Sequence, residues 1–158
     1  PLSPMSRRKF RAALPGLCLG LGLVLWAGAA LAGPVTLTAP QLRDLAFNEL
    51  QAGHFQAALD LTDGLLARDP RDVAALIIRS QALRALGRAK EAEQAARQAF
   101  ANADTMSLRY GAALGLAQAL SVEGNRLWAQ LWLRRAAHYA TTDEQRDAIG
   151  LGPVRHSA

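Results

Sequence analysis

Sulfur is scarce in this sequence: the 158 residues contain two methionines and one cysteine, Cys18. Cys18 lies in an apolar stretch near the N-terminus, so the rest of the chain has no thiol. That excludes a disulfide framework, a thiolate metal site, a cysteine nucleophile and c-type haem attachment there. Aromatic residues make up only 6%. From residue 39 onward β-branched residues are sparse, which leaves little material for strands. No Gly-rich phosphate loop, His-Glu-x-x-His pair or Gly-x-Ser-x-Gly elbow occurs in the body of the chain. Acidic groups are outnumbered, 13 against 18 Lys plus Arg, for a net charge of +5. The excess is local, because Arg7, Arg8, Lys9 and Arg11 precede residue 12 and no further charge appears until Arg43. Without residues 1–32 the balance is 14 basic to 13 acidic. That is too even for the basic stripe a nucleic-acid partner requires.

What is present at the N-terminus is an export pattern. Residues 12–32 form an uncharged stretch of 21 residues rich in Leu, Gly and Ala, directly behind the basic cluster. Ala30, Leu31 and Ala32 supply the small residues a signal peptidase needs ahead of Gly33. The reading is a signal peptide over residues 1–32 with Met5 as its start, and then a linker over 33–38. Pro15, Gly16, Gly20, Gly22 and Gly28 interrupt the stretch and favour cleavage. It is nevertheless long enough to cross a bilayer if left uncut, so an inner-membrane anchor is the alternative. Ser6-Arg7-Arg8-Lys9-Phe10 resembles the twin-arginine motif, from which Arg11 and Ala12 depart. The twin-arginine route and unfolded-chain export are both open, and either delivers a periplasmic domain.

The body is a helical repeat. Ala, Leu, Arg and Gln dominate from Ala39, and apolar positions recur at three- and four-residue spacing. Leu42, Leu45 and Ala46, and likewise Leu61, Leu65 and Leu66, define one buried stripe per helix. A shift of 34 residues places Leu42 on Leu76, Ala46 on Ser80, Gly53 on Gly87 and Ala58 on Ala92. A shift of 37 then carries Gly87 to Gly124, Ala92 to Ala129 and Ala99 to Ala136, with the three extra residues assigned to a loop at 101–109. Three repeats follow, over 39–72, 73–109 and 110–142. In each, glycine ends the first helix by taking a left-handed cap, and the alanine five residues on lets two helix backbones meet. Pro70 closes the first pair.

These residues carry a resemblance. Gly53-His54-Phe55-Gln56-Ala57-Ala58-Leu59 with Pro70, then Gly87-Arg88-Ala89-Lys90-Glu91-Ala92, then Gly124-Asn125-Arg126-Leu127-Trp128-Ala129 resemble the tetratricopeptide repeat family over about two thirds of the chain. Arg79 and Glu49 stand at usually apolar positions, and Thr141 replaces the closing proline. The resemblance implies an all-α, helical-hairpin solenoid over 39–142. A capping helix over 143–149 and a disordered tail over 150–158 are expected to follow it. More narrowly, Arg109-Tyr110-Gly111-Ala112 and the segment from Gly124-Asn125-Arg126 to Ala136 are similar to the periplasmic repeat module of the surface lipoprotein assembly modifier family. Members of that family continue into an outer-membrane β-barrel, so this chain would be at most the periplasmic half, a stand-alone relative or a truncated reading frame.

No constellation of catalytic type stands out. His54, His138 and His156 fall in a turn, near a helix end and in the tail. The acidic groups Asp60 and Asp63, Glu91 and Glu93, and Asp143, Glu144 and Asp147 neighbour basic residues on exposed faces. An enzyme, a metal and a cofactor are therefore not expected. Repeat architecture instead offers an inner, concave face lined by the first helix of each pair. Alignment puts Arg43, Phe47, Gln51, Ile77, Gln81, Arg84, Leu114 and Gln118 on it, a mixed apolar and amide groove. The Lys and Asn set that clamps terminal carboxylates in cytosolic chaperone adaptors is missing apart from Arg43. Trp128 and Trp132, with Arg135 and Tyr139, form an aromatic stripe on the last helix, either covered by the capping helix or used as an interface with another chain. The expected partner is another protein, in the periplasm, with no nucleic acid, and with membrane contact only through the first segment if it is uncut.

Overall fold

The computed structural model describes residues 36–150. The expected signal segment with Met5 and Cys18, the first half of the linker, and the residues beyond 150 with His156 lie outside the described residues. Within them seven helices follow one another without a strand: α1 (Ala39–Gln51), α2 (Phe55–Arg68), α3 (Val73–Ala85), α4 (Ala89–Asn102), α5 (Met106–Val122), α6 (Arg126–Tyr139) and α7 (Asp143–Ala148). The first six pair as α1/α2, α3/α4 and α5/α6, so the fold is the tetratricopeptide-like helical-hairpin solenoid that the spacing predicts.

The three hairpins share one turn. Gly53, Gly87 and Gly124 all have φ between 76° and 83°, a left-handed conformation that costs other residues steric strain. Each glycine amide donates to the carbonyl three residues back. The next amide, of His54, Arg88 or Asn125, donates to the carbonyl five residues back at 2.9 Å. This double bond satisfies the last carbonyls of the first helix and reverses the chain in two residues. The alanine that follows, Ala58, Ala92 or Ala129, is buried in every repeat, because the helix backbones cross there at a separation that admits only a methyl group.

Alanine dominates the interior: among the described residues, 15 of the 25 buried apolar residues are Ala. Such a core draws helices close, and the closest fit is that of α5 on the α3/α4 hairpin. A Cβ on Gly115 would lie 3.4 Å from Ser80 Oγ and 3.5 Å from Ala96 Cβ, and one on Gly111 would lie 3.1 Å from Ile77 Cδ1. The Ser80 hydroxyl in turn donates to the Ala92 carbonyl at 2.9 Å, joining α3 to α4 beneath α5. The backbones of the first helices approach in series, α1 to α3 and α3 to α5, more closely than those of α2 and α4 or of α4 and α6. The first helices thus form one layer of their own.

Two details differ from expectation. The three extra residues of the third repeat do not lengthen a loop. They extend α5 by a turn at its start, so the helix begins at Met106 and runs for 17 residues against 13 in α1 and α3. Thr105 makes this possible by capping the new terminus through the Leu108 amide at 3.3 Å, and Leu108 packs beside Val73 and Leu76. The stripe on α1 is also incomplete, since only Ala46 of its first three apolar residues is buried and Leu45 is 37% exposed. No hairpin precedes α1 among the described residues to cover that side.

The contacts of Gly115 give a clear outcome for substitution. Gly115→Leu overpacks the Ser80–Ala96 seat and is expected to cost roughly 1–3 kcal/mol. Gly115→Ala meets its neighbours at ordinary contact distance and gains helix propensity of about 0.8 kcal/mol, so it holds or raises stability. Urea unfolding followed by circular dichroism separates the two.

Candidate functional site

The layer of first helices carries the eight groove residues. Phe47 and Gln51 project from α1 into solvent, and Phe47 is 49% exposed. Gln81 and Arg84 on α3 and Gln118 on α5 are half-buried. Ile77 and Leu114 are half-buried as well, and both also pack: Ile77 joins Val73, Leu76 and Ala112, while Leu114 joins Tyr110 and Ala113. These two form a floor between successive helices, and the amides and Arg84 stand beside them.

The two arginines of the layer are in different electrostatic states. Arg43 donates from Nε to Asp72 Oδ2 at 2.7 Å. Asp72 is buried, and its other oxygen caps α3 by accepting from the Ala75 amide at 3.1 Å. Arg43 therefore ties the first hairpin to the second. Among the described residues Arg84 has no such tie, and its Nε is buried without a hydrogen-bond partner. An orphaned buried donor costs about 1–3 kcal/mol, and because this Nε is enclosed, an incoming carbonyl or carboxylate reaches it only when the side chain turns outward.

The aromatic stripe on α6 splits in two. Trp132 and Tyr139 turn inward and pack on Phe100 of α4, with ring centroids at 5.0 and 5.8 Å, and the Arg135 guanidinium lies 4.9 Å over the Trp132 ring. Trp128 points outward and is 60% exposed. Most of the cover over Trp132 therefore comes from the preceding repeat. The α7 segment adds to the same cluster, where Ile149 joins Tyr110, Ala113 and Ala136 beside Trp132 and Tyr139 and the Tyr110 hydroxyl donates to the Gln145 carbonyl at 2.9 Å. Burial raises the Tyr110 phenol above its ordinary range, and the charge of Glu144 adds to the rise.

Several other charged groups serve the fold. Arg79, at a usually apolar position, binds Asp63 across the first and second hairpins. Glu49 meets His54 Nδ1 at 2.8 Å around the first turn. Arg88 grips Glu91 through two bonds, of 2.7 and 2.6 Å, and Arg97 pairs with Glu93. The hydrogen bonds from Arg88 hold the Glu91 carboxyl below its ordinary range. Among the described residues no three His, Cys, Asp or Glu side chains converge, and no helix is long and apolar enough to cross a membrane.

No protein-family model matches the chain, and no curated protein matches it significantly. Among solved structures it is similar to the type III secretion translocator chaperone SycD of Yersinia enterocolitica. The TM-score is 0.62 at 19% identity, over 74% of this chain and 87% of that one. At that identity the likeness establishes the tetratricopeptide-like fold.

Three substitutions separate structural from exposed groups. Asp72→Ala removes both the cap of α3 and the partner of Arg43, and an expected loss of about 2 kcal/mol follows. Asp72→Asn keeps the cap and loses less, and Phe47→Ala stays within about 0.5 kcal/mol of the parent; chemical denaturation measures all three. The attachment of α7 should also depend on pH. The folded state holds the Tyr110 proton more tightly than the unfolded state, so this contribution is complete below about pH 10 and fades as pH rises through the raised value. Amide exchange in α7 is expected to quicken there, and Tyr110→Phe removes the pH dependence.

Proposed function

We propose that this protein is a non-catalytic, periplasmic protein-binding module whose layer of first helices takes an extended or helical segment of another protein. The observation that carries the reading is the state of that layer: exposed Phe47, half-buried Gln81 and Gln118, and an Arg84 Nε that lacks a partner. An apolar anchor, backbone-reading amides and one unsatisfied cation suit a polypeptide ligand. SycD, which shares the fold, is a translocator chaperone, and that role supports the same reading. The basic cluster and the uncharged 12–32 stretch support export. The similarity of residues 109–112 and 124–136 to the surface lipoprotein assembly modifier module points to assembly of outer-membrane or surface proteins as the setting.

Affinity capture from periplasmic extract, with parent and Phe47→Ala/Arg84→Ala proteins compared by mass spectrometry, tests the binding. A specific protein recovered by the parent and reduced at least about tenfold by the double variant, a change of about 1.4 kcal/mol, is the expected result; identical recovery by both proteins counts against the groove. Intact mass of the exported protein tests the location. A chain beginning at Gly33 in the soluble periplasmic fraction is expected. A chain retaining Met5 in the membrane fraction would replace the free module with an inner-membrane-anchored assembly factor.

A further inference from the structure

The last helix of the solenoid departs from its two counterparts on the side that faces solvent. The same shifts that reveal the repeats align Gln56, Lys90 and Leu127, then Ala57, Glu91 and Trp128, then Asp60, Gln94 and Leu131. All nine are exposed, yet only in α6 is each of the three a large apolar side chain, with Leu127 83% and Leu131 45% exposed. Leu133 adds a fourth, 38% exposed, where the aligned Thr62 and Ala96 are buried. An exposed apolar patch of this kind on a small domain marks an interface.

The patch borders a helix seat that none of the described residues fills. In the second repeat, Ser80, Ala92 and Ala96 form the groove that α5 occupies through Gly115. Their counterparts in the third repeat are Ala117, Ala129 and Leu133. These line an open cleft of about 330 Å³ together with Gln118, Ser121 and Arg126. A second cleft, lined by Leu127, Trp128, Leu131 and Arg134, adjoins it across Gln130. α7 seals only the other half of the end, at Tyr110, Ala136 and Ile149.

Charge identifies the occupant. α6 carries Arg126, Arg134 and Arg135 and no carboxylate, and neither Arg126 nor Arg134 forms an ion pair among the described residues. α4 differs, since both its first turn and its middle are neutralised by arginine–glutamate pairs. A second copy would set these cations against one another, which disfavours self-pairing. A groove with the shape already filled twice by helices in this fold suits a helix better than a flat bilayer. We infer that the open end of the α5/α6 hairpin docks an acidic amphipathic helix of a partner protein. Its apolar ridge lies along Ala117, Ala129 and Leu133, and its carboxylates face Arg126 and Arg134. This site shares Gln118 of α5 with the layer of first helices but includes neither Phe47 nor Arg84.

The test uses the full chain and two labelled synthetic amphipathic helices with the same Leu/Ala face, one with a Glu polar face and one with a Lys polar face, read by fluorescence anisotropy. The Glu peptide is expected to bind at least about tenfold tighter than the Lys peptide. Leu127→Lys/Trp128→Glu/Leu131→Gln, which installs the residues of α4 at aligned exposed positions, weakens it by a similar factor while circular dichroism and melting stay unchanged. Arg126→Glu/Arg134→Glu reverses the peptide preference. Phe47→Ala/Arg84→Ala leaves Glu-peptide binding intact, which separates this site from the groove. Equal binding of both peptides, no binding, or binding indifferent to the triple substitution overturns the inference. Triple-variant-sensitive association with phosphatidylglycerol vesicles alone, or with a second copy alone, also overturns it and assigns the face to a membrane or a dimer.

Discussion

Each helical hairpin in this protein buries its own inner contact but leaves a groove along one side, and the fold depends on the next helix filling that groove. The contact is made at small residues. Gly115 enters between Ser80 and Ala96 with barely the space of a methyl group to spare, and the Ser80 hydroxyl fixes the groove floor by binding the Ala92 carbonyl. Because the apolar core is mostly alanine, few side chains contribute a large transfer free energy alone. Stability has to come from the many close backbone approaches that stacking provides, as in other one-dimensional repeat arrays.

This arrangement decides which charges are available. The chain crosses from the first hairpin to the second through Asp69, Pro70, Arg71 and Asp72, and Asp72 must cap α3 from a buried position. A buried carboxylate needs a counter-charge, and Arg43 on α1 supplies it. Arg43 and Arg84 therefore share a layer but differ in role: one is committed to the fold and the other keeps a donor unsatisfied. The apolar members of the layer divide in the same way, with Ile77 and Leu114 packed between helices and Phe47 projecting into solvent.

The parts legible in the sequence are those governed by local rules. Glycine at 53, 87 and 124 with alanine five residues later predicts the turns and the helix crossings, because a left-handed cap and a close approach each admit essentially one residue type. The 37-residue shift finds the third repeat but not the start of α5, since a helix can absorb extra residues as readily as a loop when Thr105 offers a cap. Spacing likewise groups Trp128 with Trp132. Their fates separate because Phe100 of the preceding repeat stands beside one and not the other, a contact between helices that periodicity within α6 does not encode. The pairing of Arg43 with Asp72 spans 29 residues and is set by how the hairpins stack. The apolar change at 127, 128 and 131 has a sequence signal, visible when aligned repeat positions are compared across the array instead of along one helix.

The end of the array follows from the constraint that holds its middle together. A groove filled by a 17-residue helix in the second repeat is met in the third by a six-residue helix. The contacts of this segment include the Tyr110 hydroxyl on the Gln145 carbonyl and Ile149. Such a helix covers the groove where Tyr110 and Ala136 lie and cannot reach Ala117 or Ser121, more than one turn farther along α5. Among the described residues the third hairpin therefore keeps the geometry of a helix acceptor. At the adjoining exposed positions, where repeats one and two keep Gln56, Asp60, Lys90 and Gln94, polar side chains are what solubility requires of a capped surface. Three large apolar residues flanked by cations without ion pairs run against that requirement. The departure falls on the one helix whose neighbouring groove is open, so the surface and the groove form a single feature of the fold.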